Sequence, residues 1–183
     1  MAKLTVVTGP MFSFKTQTLK RFIERKQFSR LETLVIKTDI GLRQGPRDIQ
    51  AEIVRNKEEV DIILKKYNPD FLGVEECQFF GPWIVDVIDR LMEKNVTRDF
   101  EIVVVGLDMD SNKKPFGVMP ILMAKANEVI KVTGICTMCK KDGNLSYLKR
   151  KDTAQKDAAG NTIKAGDLDE YEVRCAICHN LAW

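Results

Sequence analysis

The sequence has little of what several common classes of protein require. It holds one histidine in 183 residues, which makes a Ser-His or Cys-His catalytic triad implausible. No apolar stretch approaches the roughly 20 residues of a membrane span, and the first residues lack the apolar core of a secretion signal. The net charge of +3 is not the basic excess typical of nucleic-acid binding. We therefore expect a cytoplasmic globular protein, and its hydrophobic content of 44 % is enough to bury a core.

The five cysteines are an odd number and accompany no secretion signal, so a disulfide framework is not expected. Four of them form two C-x₂-C pairs, Cys136 with Cys139 and Cys175 with Cys178. Four thiolates complete the shell of one tetrahedral Zn²⁺, so these pairs predict a structural zinc site. His179 directly follows Cys178 and is an alternative ligand there. The fifth cysteine, Cys77, has no base spaced to activate it and is expected to be a small buried residue.

Apolar segments of two periodicities alternate along the first part of the chain. Short β-rich runs are followed by segments with helical spacing, an order typical of a parallel sheet flanked by helices. We predict strands at residues 4–8, 33–36, 71–74, 102–105 and 129–133, and helices from residue 15, over 49–67, after residue 82 and over 121–126. After residue 133 the pattern changes, and a segment this small needs a metal to hold it together. The prediction is a nucleotide-binding α/β domain over residues 1–133 and a zinc-binding lid domain over residues 134–183.

Residues 9–16 read G-P-M-F-S-F-K-T and lie between the first strand and the first helix. This is the setting of a P-loop, G-x-x-x-x-G-K-[ST], in which backbone N–H groups and the helix N-terminus hold phosphates. Lys15 would reach the β- and γ-phosphates and Thr16 would bind Mg²⁺. Phe14 stands where the pattern has glycine, and a chance Lys-Thr at a helix start is the alternative explanation. The candidate ATP-binding residues are Gly9, Pro10, Met11, Phe12, Ser13, Phe14, Lys15 and Thr16.

Two adjacent carboxylates, Glu75 and Glu76, follow the buried run at residues 71–74. In open parallel sheets, ligands bind at the carboxyl ends of the strands. Successive side chains point in different directions, so one carboxylate could serve Mg²⁺ while the other faces substrate. The alternative is a charge pair ahead of the next helix.

Four segments in order resemble the zinc-containing thymidine kinase family of the cellular and poxviral type. They are the loop at residues 9–16, V-E-E-C-Q-F-F at 74–80, G-L-D at 106–108 with K-P-F-G at 114–117, and the two cysteine pairs with Tyr171 shortly before the second. The resemblance implies transfer of the ATP γ-phosphate to the 5′-hydroxyl of a deoxynucleoside, with thymidine preferred. It also implies a homotetramer.

The resemblance assigns roles position by position. Glu76 would be the general base, Glu75 would take the place of the family's Mg²⁺-associated Asp, and Arg43 would stabilise charge on the transferring phosphoryl group together with Lys15. Tyr171 would lie over the nucleoside in the loop between the cysteine pairs. The substrate-binding residues it implies are Gln78, Phe79, Leu107, Asp108, Phe116, Leu148 and Tyr171.

Several positions depart from the family pattern. Phe14 replaces a glycine, Gly41 stands where the family has an Asp, and Leu148 stands where it has a threonine. A catalytically impaired relative that binds nucleotide or acts as a scaffold is therefore a second hypothesis. A zinc-ribbon nucleic-acid binder is a third, for which the candidate patch is Lys140, Lys141, Lys149, Arg150 and Lys151.

Overall fold

A computed structural model describes residues 1–40, 49–149, 155–156, 162–163 and 170–181. The strands of the main sheet are β1 (Lys3–Thr8), β2 (Thr33–Lys37), β3 (Glu52–Ile53), β4 (Phe71–Val74), β5 (Glu101–Gly106) and β6 (Glu128–Lys131). The helices are α1 (Lys15–Phe28), α2 (Lys57–Tyr67), α3 (Trp83–Lys94), α4 (Met119–Lys125) and α5 (Ala176–Asn180), with a 3₁₀ turn at Cys77–Phe79. Across these ranges, no helix is both long enough and apolar enough to cross a bilayer.

The main sheet has six strands in the order β3-β2-β4-β5-β1-β6. Every pairing within it is parallel. β1 precedes residues 9–16, which we call the phosphate loop, and β4 precedes the acidic pair Glu75 and Glu76. β5 leads into the G-L-D segment and lies between β1 and β4 in the sheet. The predicted parallel sheet flanked by helices is confirmed.

Side chains alternate between two apolar layers, one on each face of the sheet. Leu4, Val6 and Leu72 pack in a layer with side chains of α2, α3 and α4. Val7, Phe71 and Val103 pack on the opposite face, where Leu19 of α1 joins them. Strands covered on both faces have no polar side, which explains why residues 102–105 read as a continuous apolar run.

The largest departure from the predicted boundaries lies in the segment expected to be helical over residues 49–67, whereas the helix predicted over 121–126 and the strand predicted over 129–133 shift by only one or two residues at each end. In the first of these segments α2 begins at Lys57, because Asn56 caps it with a side-chain oxygen that accepts from the backbone N–H of Glu59. An Asn at this position satisfies an N–H that the helix leaves unpaired. The residues before it form β3, a short edge strand paired with β2.

The C-terminal part of the chain contains small antiparallel pairs. β7 (Gly134–Ile135) pairs with β8 (Asp142–Gly143), and β9 (Leu145–Leu148) pairs with β12 (Tyr171–Arg174). Tyr171 lies directly opposite Leu148. β10 (Gln155–Lys156) pairs with β11 (Thr162–Ile163). The first two pairs bring both cysteine pairs into one region.

Asp70 ties together the amino-terminal edge of the sheet. Its side chain accepts from the backbone N–H of Glu32 at 3.1 Å and from the guanidinium of Arg98. The hydrogen bond from Arg98 holds the pKa of the Asp70 carboxyl below its usual value, and the bond from Glu32 adds to this. The ionised carboxylate therefore stabilises the folded chain.

Asp70→Asn should lower the free energy of unfolding at pH 7. It should also make that free energy fall less as the pH is lowered. A carboxyl whose folded pKa is depressed contributes stability above its unfolded pKa of about 3.9 and loses it as the pH falls through the folded pKa. The difference in urea midpoint between wild type and variant should therefore shrink between about pH 5 and pH 3. Asp86→Asn, at an exposed carboxylate of α3, is the matched control. A difference that stays constant over this range would contradict the role given to Asp70.

Candidate active site

The loop between β1 and α1 folds around the ammonium group of Lys15. Nζ lies 2.5 Å from the carbonyl oxygen of Pro10 and 3.4 Å from Oγ of Ser13. Ser13 Oγ also donates to the Pro10 carbonyl at 2.7 Å. Lys15 is only 9 % exposed. A buried cation at the N-terminus of a helix favours an anionic ligand such as a phosphate.

Three residues of this loop have a positive φ: Gly9, Phe12 (φ 57°) and Phe14. Gly9 and Phe14 tolerate or bear it for different reasons. Gly9 has φ 151°, and a Cβ there would lie 2.2 Å from the carbonyl oxygen of Val132, so only glycine fits. Phe14 has φ 63° and ψ 24° and directly precedes α1. Its side chain is 67 % exposed. The ring therefore leaves the loop toward solvent, and the cost of the substitution falls on the backbone, at about 1–2 kcal/mol for a side chain in this conformation.

The acidic end of β4 lies against the phosphate loop. The Thr16 hydroxyl donates to Glu75 Oε1 at 2.8 Å, and Glu75 is buried. The Glu75 backbone N–H donates to the Ile36 carbonyl of β2, which fixes the main chain at this point. A hydroxyl and a carboxylate side by side are the hard oxygen donors that Mg²⁺ prefers. The residues present thus fit the divalent ion that accompanies ATP.

Gln78 connects Glu76 to the end of β5. Its Oε1 accepts from the backbone N–H of Leu107 at 3.0 Å. That bond assigns the amide orientation, so the NH₂ group donates to Glu76 Oε2 at 2.5 Å. A Cβ at Gly106 would lie 2.6 Å from Gln78 Oε1, so a larger residue at this position would displace the Gln78 amide. Glu76 itself is half-buried and has φ 52°.

Apolar side chains from distant parts of the sequence meet beside this edge. Met11 of the phosphate loop packs with Leu148 and Tyr171, and Leu107 lies against the same cluster. Phe79 and Phe116 meet edge to face with ring centroids 5.7 Å apart. The structure thus places Leu107, Leu148 and Tyr171 in one cluster and Phe79 against Phe116 in a second contact, and their role toward a nucleoside stays a prediction.

Asp108, another residue predicted to bind substrate, is held by an ion pair and a backbone hydrogen bond. The Asp108 carboxylate forms an ion pair with Lys131 Nζ at 2.9 Å, and its backbone carbonyl accepts from the N–H of Phe116 at 3.0 Å. Arg43 lies outside the described residues, as does Gly41.

The four paired cysteines form one cluster. Their Sγ atoms all lie within 4.8 Å of one another. Sγ of Cys139 and Sγ of Cys175 are 3.8 Å apart, which equals the edge of a tetrahedron with Zn–S bonds of about 2.3 Å. The cluster is thus compatible with structural zinc. His179 is outside it, because its Nε2 lies 3.2 Å from the carbonyl oxygen of Ser111.

Cys77, the fifth cysteine, is fully buried in the core layer that contains α3. Burial raises the pKa of its thiol. A thiol that stays protonated is neither a nucleophile nor a metal ligand, which agrees with the interpretation from the sequence.

Sequence reasoning missed two residues that support this site. Ser146 on β9 is 5 % exposed, and its Oγ accepts from the backbone N–H of Met11 at 3.0 Å. Asp110 is 2 % exposed and closes the loop after β5 by accepting from the backbone N–H groups of Asn112 and Lys114. The signal for Asp110 was available in the D-S-N-K run, since Asp commonly accepts from N–H groups that follow it in turns. Ser146 carries no local pattern of that kind.

Comparisons with known proteins agree with this arrangement. Residues 2–179 match the family model described as Thymidine kinase. The chain is 32 % identical over 186 residues to a thymidine kinase of Mesomycoplasma hyopneumoniae (strain 7448), covering 97 % of this chain and 95 % of the relative. It is also 32 % identical to one of Mycoplasma mobile, covering 96 % and 86 %, and 31 % identical to one of Metamycoplasma arthritidis, covering 97 % and 90 %.

Phe14→Gly should raise the midpoint of urea unfolding while leaving ATP binding within about threefold of wild type. Glycine adopts a positive φ without steric cost, which relieves a strain of about 1–2 kcal/mol, and the Phe14 ring of the wild type is mostly exposed to solvent. Calorimetric titration with Mg-ATP and urea denaturation measure the two effects. Phe28→Gly, at a 94 % exposed ring at the end of α1, serves as the control and should not gain stability. ATP binding that appears only in Phe14→Gly would support the catalytically impaired relative instead.

Proposed function

Because this chain belongs to the thymidine kinase family, we propose that the sheet edge described above transfers the γ-phosphoryl group of ATP to the 5′-hydroxyl of thymidine. The observation that carries the proposal is the hydrogen bond between Thr16 and Glu75. This bond joins the phosphate loop to the end of β4. The next residue there is Glu76, the carboxylate proposed as the base. Nothing in the comparisons favours the catalytically impaired alternative.

The phosphates of ATP are proposed to bind at the N-terminus of α1, with Lys15 on the β- and γ-phosphates. Residues 9–16 would surround them with backbone N–H groups. Thr16 and Glu75 would hold the magnesium ion, which when bound neutralises charge on the β- and γ-oxygens. Catalysis of this reaction depends mostly on such positioning and charge stabilisation.

Glu76 is proposed to be the general base. As the bond from the 5′-oxygen to the γ-phosphorus forms and the bond from that phosphorus to the β-phosphate oxygen breaks, the hydroxyl proton passes to the Glu76 carboxylate and ADP leaves. The hydrogen bond from Gln78 orients the carboxylate, and Gln78 is itself held by the N–H of Leu107. Arg43 is proposed to stabilise the developing charge on the phosphoryl group.

The nucleoside is proposed to lie against the apolar cluster formed by Met11, Leu148 and Tyr171. Phe79 and Phe116 would border its base. Residues 134–183 are proposed to act as a lid, since Tyr171 and Leu148 on paired strands already contact the phosphate loop. Closure of such a lid would exclude water and protect ATP from hydrolysis. The cytoplasmic location stays a prediction, as does the homotetramer that the resemblance implies.

Glu76→Gln should lower kcat by about 10²–10⁴-fold, the usual contribution of a general base, while KM for thymidine and for ATP change much less. Glutamine keeps the size and can still hydrogen-bond Gln78, but it cannot accept the hydroxyl proton. Steady-state assays with radiolabelled thymidine and Mg-ATP measure the three constants.

Glu93→Gln is the matched control for this variant, since Glu93 is an exposed carboxylate of α3. All its constants should equal those of the wild type. A Glu76→Gln enzyme with unchanged kcat and a greatly raised KM for thymidine would make Glu76 a binding residue and not the base.

We also propose that the cysteine cluster binds one structural zinc. Cys139→Ser should abolish the retention of about one zinc per chain, because a tetrahedral structural site needs all four ligands. It should also make residues 134–149 and 170–181 more sensitive to protease. Cys77→Ala is the control and should retain zinc. Metal content after dialysis decides the point, and full retention by Cys139→Ser would contradict the ligand assignment.

A further inference from the structure

The only histidine of the sequence lies where three segments meet. His179 belongs to α5, directly after the zinc-cluster residue Cys178. Its Nε2 lies 3.2 Å from the carbonyl oxygen of Ser111 and 3.3 Å from the carbonyl oxygen of Ser146. Carbonyl oxygens only accept hydrogen bonds, so Nε2 must carry a hydrogen and donate to them.

Stacked side chains hold the His179 ring in place. The ring meets Tyr147 edge to face with centroids 5.3 Å apart, and the guanidinium of Arg174 lies 3.5 Å from the centre of the Tyr147 ring. Arg174 is buried and donates to the carbonyl oxygen of Cys178 at 3.2 Å and to the Glu172 carboxylate at 2.6 Å. The orientation of the histidine is thus fixed from the side of the cysteine cluster.

Ser111 belongs to a loop with a fixed internal shape. The buried carboxylate of Asp110 accepts from the backbone N–H of Asn112 at 2.8 Å and of Lys114 at 2.9 Å. The base of the loop is closed by the N–H of Phe116, which donates to the carbonyl of Asp108. A loop braced in this way moves as a unit, so holding its tip at Ser111 also holds its base.

Ser146 connects the same histidine to the phosphate loop. While its carbonyl faces His179, its hydroxyl accepts from the backbone N–H of Met11. His179 therefore contacts two segments. One is the loop that includes Phe116, and the other is β9, whose Ser146 contacts Met11.

We propose that His179 is a positioning residue for the loop at residues 108–116. By donating from Nε2 to the carbonyl oxygen of Ser111, it fixes this loop against α5, which carries Cys178 of the cysteine cluster. It thereby sets the position of Phe116, one of the side chains proposed to bind the nucleoside. This rests on the proposed function for the role of Phe116. It assigns His179 neither to the metal nor to the chemical step.

The test compares two amide substitutions that differ by one methylene. Glutamine at 179 places an amide N–H close to the position of Nε2, whereas asparagine places it near Nδ1 and cannot reach Ser111. His179→Asn should raise KM for thymidine about tenfold, near the upper end of what the loss of one partly buried hydrogen bond costs. In His179→Asn, kcat and KM for ATP should stay within about twofold, while His179→Gln should keep KM for thymidine within about threefold. Ile177→Ala, at a 76 % exposed position of the same helix, is the control.

Hydrogen exchange without substrate gives a second readout that does not depend on activity. Amides of residues 108–116 should exchange faster in His179→Asn than in His179→Gln or wild type, with zinc content unchanged in all. Loss of zinc in His179→Asn would overturn the proposal, as would equal exchange in the two variants or an equal rise of both KM values. If the wild-type chain fails to phosphorylate thymidine, the proposed function fails, and the exchange difference still decides whether His179 holds the loop.

Discussion

The parallel arrangement of β4, β5 and β1 is the constraint on which the rest of the structure depends. Parallel strands place all their carboxyl ends at one edge of the sheet. β1 ends one residue before Gly9, β4 ends one residue before Glu75, and β5 ends at Gly106. Three segments that are far apart in sequence therefore meet within a few ångströms, without any contact among them being needed to bring them there.

Short side chains and glycines then let these segments approach closely. Thr16 reaches Glu75 directly, and Gln78 spans the distance from Glu76 to the end of β5. Gly106 leaves the space that the Gln78 amide fills. Because Gln78 is 3 % exposed and both of its polar ends are hydrogen-bonded, its position is determined by the sheet. Such support suits the role proposed for Glu76, in which the carboxylate would meet a hydroxyl in one geometry.

Much of this could be predicted from the sequence, because the relevant signals are local. The phosphate loop, the acidic pair and the cysteine pairs are each contained in a few consecutive residues, and the apolar runs indicate the strands that carry them. The contacts of Ser146 with Met11 and of His179 with Ser111 are not local. They depend on how the C-terminal strands dock, and nothing in the neighbouring residues indicates it. The start of α2 was missed for a different reason, because helical spacing over residues 49–67 outweighed the Asn56 cap.

Phe14 shows why a departure from a motif must be judged by backbone and side chain separately. The glycine of the P-loop pattern serves two needs, a left-handed backbone and an uncrowded approach to phosphate. The left-handed backbone is retained here, since Phe14 has φ 63°. This conformation strains the chain, because phenylalanine strongly prefers a negative φ. For the second need, the Phe14 side chain is 67 % exposed, so most of its surface is not packed against the loop. The substitution thus lowers the stability of the turn, while the exposure of the ring agrees with the proposal that phosphate binds beside Lys15 and Thr16.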